Sequence, residues 1–92
     1  MDISYDVAKN ARNIALRGLS FERVEEFDFL TAKMWQDTRK VYPEPRFIAI
    51  GYLANRLHVL AFADAPSGIR VLSFRKANTR EGVKHGFSLT RH

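Results

Sequence analysis

Arginines recur beside short apolar runs in the middle and second half of the chain, at a spacing that suits β-strands. Arg46 opens the run Phe47-Ile48-Ala49-Ile50-Gly51, and a second apolar run extends from Leu57 to Ala63. A third, Ile69-Arg70-Val71-Leu72-Ser73-Phe74-Arg75-Lys76, carries cations among its apolar residues. A small sheet must bury one face, so a cation inside a strand points outward or serves an anion. Cations on neighbouring strands therefore point first to a phosphate-binding surface. Ser73 lies two residues from Arg75, so both project from the same face of that strand. Its hydroxyl either satisfies backbone groups or takes part in chemistry.

The elements that would carry these residues follow from caps and turns. Asp6 is placed to cap a helix, with Val7, Ala8, Ala11, Ile14 and Ala15 at helical spacing. Gly18 suits a left-handed stop to that helix. Ser20 can cap a second short helix with Glu22 in its first turn and Phe21, Val24 and Phe27 on one side. A first strand is expected between Phe29 and Gln36, followed by an extended connection marked by Pro43 and Pro45. Ala54-Asn55-Arg56 and Ala65-Pro66-Ser67-Gly68 read as turns between strands. Asn78 and Glu81 have capping-box spacing for a last helix, which Gly82 and Gly86 should leave short or frayed. The expectation is an α+β fold in the order ααββββα: two N-terminal helices, a small antiparallel four-stranded sheet and a short C-terminal helix.

Composition narrows the class. A chain of 92 residues is expected to form one domain over residues 1–92, and 46% hydrophobic content is too apolar for disorder. No apolar run approaches the roughly 20 residues needed to span a membrane, and no secretory leader is evident. The absence of cysteine removes disulfides and thiolate metal sites and fits a reducing, cytoplasmic setting. His58, His85 and His92 are widely spaced, so neither a metal nor a cofactor site is expected. The net charge of +5 is uneven. Residues 1–28 hold four basic and six acidic side chains, and residues 29–92 hold eleven and four. The sheet half is thus the one suited to a polyanion.

The order of these marker residues resembles the BrnT-type toxins of bacterial type II toxin–antitoxin systems. The resemblance rests on Tyr5-Asp6-Val7-Ala8-Lys9-Asn10, on Asn13 through Gly18-Leu19-Ser20-Phe21, and on Asp37-Thr38-Arg39. It continues through Glu44-Pro45-Arg46-Phe47-Ile48-Ala49-Ile50-Gly51 and Ile69 to Ala77, ending in Arg80-Glu81. It covers roughly residues 3–85. It implies a RelE-like fold, metal-independent RNA cleavage, and a ribbon-helix-helix antitoxin in a 2:2 heterotetramer. Three departures stand out. Leu16-Arg17-Gly18 replaces the usual Lys-His-Gly, Phe74 replaces a small residue, and Gly82 and Gly86 interrupt the final helix.

Metal-free cleavage needs a 2′-OH aligned for attack, charge stabilisation for a phosphorane, and two proton transfers. Arginine meets the second need through its planar, permanently charged fork. Arg46, Arg75 and Arg39 are the first choices for it, with Lys76, Arg80, Arg70 and Arg17 as further RNA contacts. Asp37 or Glu44 can accept the 2′-OH proton if burial or a like charge raises its pKa. Each has a plainer role: Glu44 and Arg46 as a surface pair, Asp37 as a turn residue, Arg17 as a helix-dipole partner. Tyr42 is the best base-stacking candidate, whereas Trp35 and Tyr52 read as core or interface. His58 reads as structural, and His85 sits on a helix expected to be a poor platform. The competing readings are a weakened toxin homologue and a non-enzymatic nucleic-acid-binding domain.

Overall fold

The computed structural model describes residues 1–91. The chain runs β1 (Asp2–Tyr5), α1 (Val7–Arg17), a 3₁₀ turn (Phe21–Glu26), β2 (Lys33–Gln36), β3 (Arg46–Leu53), β4 (Arg56–Ala65), β5 (Gly68–Lys76) and α2 (Thr79–His85). Asp6 caps α1 by accepting from Lys9 N at 3.0 Å, and Gly18 ends it at φ 65°. Asn55 and Ala54, both at positive φ, make the tight β3–β4 turn. No helix is long and apolar enough to cross a membrane among the described residues.

The expected four-stranded antiparallel sheet is corrected here: the sheet has five strands, in the order β1-β5-β4-β3-β2, and is mixed. The strands β2 to β5 are antiparallel neighbours, but β1 pairs parallel with Gly68–Val71 of β5. Four residues alternating polar and apolar are too short a run to read as a strand without their partner. Gly68 lets that partner approach, since a Cβ there would lie 2.1 Å from the Asp2 carbonyl oxygen. The second N-terminal helix is likewise corrected to a 3₁₀ turn, capped by Ser20 through Glu22 N at 3.2 Å.

Both sheet faces carry apolar residues. One face packs Ala49, Leu53, Leu60, Phe62, Val71 and Phe74 beneath Leu19, Phe21, Val24 and Phe27. The helix α1 adds no buried residue to this core. It turns polar side chains inward: Asn10 Oδ1 accepts from Phe21 N, and Asn13 Nδ2 donates to the carbonyls of Leu19 and Phe74. Its apolar Val7, Ile14 and Leu16 stay exposed. The other face has a smaller core of Ile50, Tyr52, Leu57 and Ala77, closed by Phe87 and Leu89 after α2.

Candidate active site

Strand register sets out the exposed part of that second face as a grid. Arg46, Ala63 and Arg70 form one row across β3, β4 and β5, and Ile48, Ala61 and Ser73 form the next. Ile50, Val59 and Arg75 form a third row, while Trp35 extends the middle one from β2. Directly paired residues share a face, so Arg46, Arg70, Ser73 and Arg75 look the same way. Between β2 and α2 this face opens into a cavity of about 320 Å³, whose walls include Trp35, Asp37, Arg39, Arg75, Glu81 and His85.

Two arginine–carboxylate forks frame the cavity. Arg75 donates from Nη1 and Nη2 to Glu81 at 2.8 and 2.7 Å. Glu81 also accepts from Asn78 N at 3.0 Å while Asn78 Oδ1 accepts from Glu81 N, the reciprocal cap that starts α2. A strand arginine is thereby tied to the first turn of the last helix. The Arg75 hydrogen bonds hold the Glu81 carboxyl down at about 2, helped by its backbone bond and by nearby positive charge, including His85.

The second fork joins Arg39 Nε and Nη2 to buried Asp37, each at 2.9 Å. Tyr42 donates its hydroxyl to the same carboxylate at 3.0 Å, and the Arg46 guanidinium lies 4.3 Å from the Tyr42 ring centre. Arg46 Nε is buried with no hydrogen-bond partner among the described residues.

These contacts redistribute the roles read from sequence. The Arg39 fork holds Asp37 well below the usual carboxylate range, against the opposing pull of burial. The raised pKa that base catalysis by Asp37 requires is therefore absent. Glu44 stands 4.0 Å from Arg70 rather than pairing with Arg46, and both are half-exposed. Tyr42, expected to stack on a base, spends its ring on Arg46 and its hydroxyl on Asp37. Arg80 is exposed on α2 and is not part of the Arg75–Glu81 cavity wall. Arg17 and Lys76 line a separate cavity, because Lys76 follows Arg75 and so projects to the opposite face.

His85 is the residue that sequence reasoning undervalued. Its ring stacks on Trp35 with centroids 4.6 Å apart and planes 16° apart, so Trp35 is part of the cavity wall. The helix beneath it is closed at both ends: Gly86 stops it at φ 79°, Phe87 N donates to Gly82 O at 2.8 Å, and Lys33 Nζ donates to His85 O at 2.6 Å. Gly82 serves close packing, since a Cβ there would lie 2.9 Å from Phe87 O. The signal was available in the Asn78–Glu81 box and in a glycine one residue past His85. Among the described residues no three His, Cys, Asp or Glu side chains group to hold a metal ion; His92 lies outside them.

Glu81→Gln tests the first fork as a stability element. Its folded pKa is depressed, so the stabilisation is present above about 4.5 and is lost as pH falls towards about 2. Denaturant unfolding at pH 7 should show the variant less stable by about 1–2 kcal/mol, a figure kept small by partial solvation of both side chains. The gap to the wild type should narrow between pH 4.5 and 2.

No curated protein matches the chain. The family model described as the ribonuclease toxin BrnT of type II toxin–antitoxin systems matches residues 5–81, from the end of β1 through both arginine forks to Glu81. Over that span the chain belongs to the BrnT ribonuclease toxin family.

Proposed function

We propose that this toxin is a metal-independent endoribonuclease whose reaction takes place in the Arg75–Glu81–His85 cavity. The observation that supports it most is the coincidence on one sheet face of Arg46, Arg70, Ser73 and Arg75 with a histidine held by stacking. Glu81 orients Arg75 but leaves the Arg75 Nε–H and one Nη2 hydrogen for phosphate oxygens. Arg39 likewise uses two of its five donors on Asp37. Arg46 Nε is buried and unpartnered among the described residues, so the side chain must turn outward before it can donate to a phosphate oxygen.

In the proposed reaction the ribose 2′-oxygen bonds to phosphorus as the bond to the 5′-oxygen breaks. A proton leaves the 2′-OH, and another arrives on the departing 5′-oxygen. The products are a 2′,3′-cyclic phosphate and a free 5′-OH. The arginines stabilise the charge that builds on the phosphorane. His85 carries the proton transfers, since histidine is the side chain suited to both directions near neutral pH. Asp37 and Glu81 act as carboxylates that set guanidinium geometry.

Membership in a type II family implies an antitoxin partner. We take that partner to bear a ribbon-helix-helix DNA-binding domain and to assemble as a 2:2 complex in the cytoplasm. Its acidic residues would lie over Arg46 and Arg75, using charge complementarity that also speeds association.

Incubation with RNA in EDTA tests the chemistry. Cleavage should persist and leave 2′,3′-cyclic phosphate and 5′-OH ends. His85→Ala should lower the single-turnover rate by about 10²–10⁴-fold while RNA affinity stays unchanged. Cleavage that stops in EDTA and returns with magnesium would remove the metal-independent reading. RNA left intact in both conditions would favour the weakened homologue, the reading to which Leu16-Arg17 draws attention.

A further inference from the structure

The opposite face of the sheet carries its own basic cavity, of about 490 Å³, at the end where Lys76 projects. Arg17 reaches it from the end of α1, Arg23 from the 3₁₀ turn, Arg56 and His58 from β4, and Lys76 from β5. Among the described residues no acidic side chain lines it. Arg23 is paired with Glu26 at 3.1 Å, but Arg17, Arg56 and Lys76 have no carboxylate within 4.0 Å among the described residues. Arg56 is fixed by donating to the carbonyls of Leu57 and Ala77 at 2.7 and 3.0 Å. His58 is buried with Nδ1 2.7 Å from Arg56 O, a contact only an Nδ1–H can satisfy. Uncompensated cations held this close together repel one another, and an anion among them relieves that repulsion.

We propose that this cavity holds a phosphate group of the RNA strand at a short distance from the scissile one. The inference rests on the ribonuclease reading above and extends it to how the strand is held. Arg75 and Lys76 are consecutive and face opposite ways, so the two cavities lie back to back across one end of β5. The strand β1 pairs only with Gly68–Val71, so beyond Val71 no strand among the described residues flanks β5 on the side away from β4, and Asn13 of α1 reaches that edge, donating to Phe74 O. The RNA backbone passes from one face to the other around that end. The walls favour phosphate over a protein segment: their apolar part is only Leu19, Leu53 and Ala54, without the aromatic pocket that anchors a peptide.

The test is fluorescence anisotropy of a 2′-O-methyl single-stranded RNA, which cannot be cut, titrated across salt concentration. Arg17→Gln with Lys76→Gln removes two exposed cations and spares Arg56 and His58, whose contacts are structural. The slope of log affinity against log salt should fall by about 0.7, the share of one single-strand phosphate, with affinity about fourfold weaker near 0.15 M salt. The pair Arg17→Lys with Lys76→Arg should keep the wild-type slope, and Lys9→Gln with Arg12→Gln on α1 should change neither quantity. Wild-type binding with an unaltered slope in the first variant overturns this inference and leaves the cleavage reading standing. Weakened antitoxin binding with the RNA slope untouched also overturns it, making the cavity a protein surface. Failure of the wild type to bind RNA at all removes both readings.

Discussion

Arg75→Ala is expected to lower the single-turnover rate of RNA cleavage by about 10²–10³-fold, the usual loss when one preorganised donor to a developing charge is removed. Two effects combine. The guanidinium that faces the cavity disappears, and the Glu81 carboxylate it had neutralised is left pointing where phosphate must sit. The fold should survive, because Glu81 keeps its bond from Asn78 N and α2 keeps its cap. The double variant Arg75→Ala with Glu81→Gln separates the two effects. It should regain part of the lost rate by removing the repulsive charge, although a donor is still missing. Arg46→Ala should also impair cleavage, through loss of the cation stacked on Tyr42. A wild-type rate for Arg75→Ala would mean that the reaction happens elsewhere.

The second large effect concerns the fold. Gly68→Ala should destabilise the protein by about 1–3 kcal/mol, the range for a methyl forced into a packed site. The new Cβ would fall 2.1 Å from Asp2 O, and a backbone carbonyl cannot swing aside as a long side chain can. The strand β1 must shift or detach. Amide exchange should then quicken over Ile3 to Tyr5, which now pair with Ile69 to Val71. The 3₁₀ turn should loosen with it, since Tyr5 donates to Glu22 at 2.7 Å and packs edge-on against Phe21. An unchanged denaturant midpoint and unchanged exchange would show that the β1 ladder contributes nothing.

Local chemistry was readable because it is contained in short windows. Asp6 and Gly18 bracket α1, the Asn78–Glu81 box opens α2, and the β3–β4 turn falls at Ala54-Asn55 as its neighbours required. What escaped depends on distant partners. The strand β1 is recognisable only once residues some 65 positions away are placed beside it, as in the Ser4 Oγ bond to Ile69 O. The orientation of α1 escaped for a different reason. Val7, Ala8, Ala11, Ile14 and Ala15 fall at helical spacing, but Asn10 and Asn13 satisfy buried backbone groups and so take the inward side.

The same division holds in the site. That Arg46 and Arg75 share a face followed from strand alternation, once β3 and β5 were placed either side of β4. The alternation also separates Lys76 from Arg75, which line different cavities on opposite faces. The forks could not be foreseen, because Arg75 meets Glu81 only after the chain leaves a strand, turns and starts a helix. That pairing is what holds the Glu81 carboxyl as an anion.

The parallel β1–β5 ladder also sets an order of events in time. Its first member leaves the ribosome early and must wait for its last, a long loop closure that slows folding. The cavity waits longer still, because Glu81 and His85 follow β5. Translation adds about 5–20 residues per second, so each nascent chain spends about 0.3–1.2 s with Arg75 made and its orienting carboxylate, Glu81, not yet synthesised. The nascent chain thus lacks a complete cavity wall until His85 has been added.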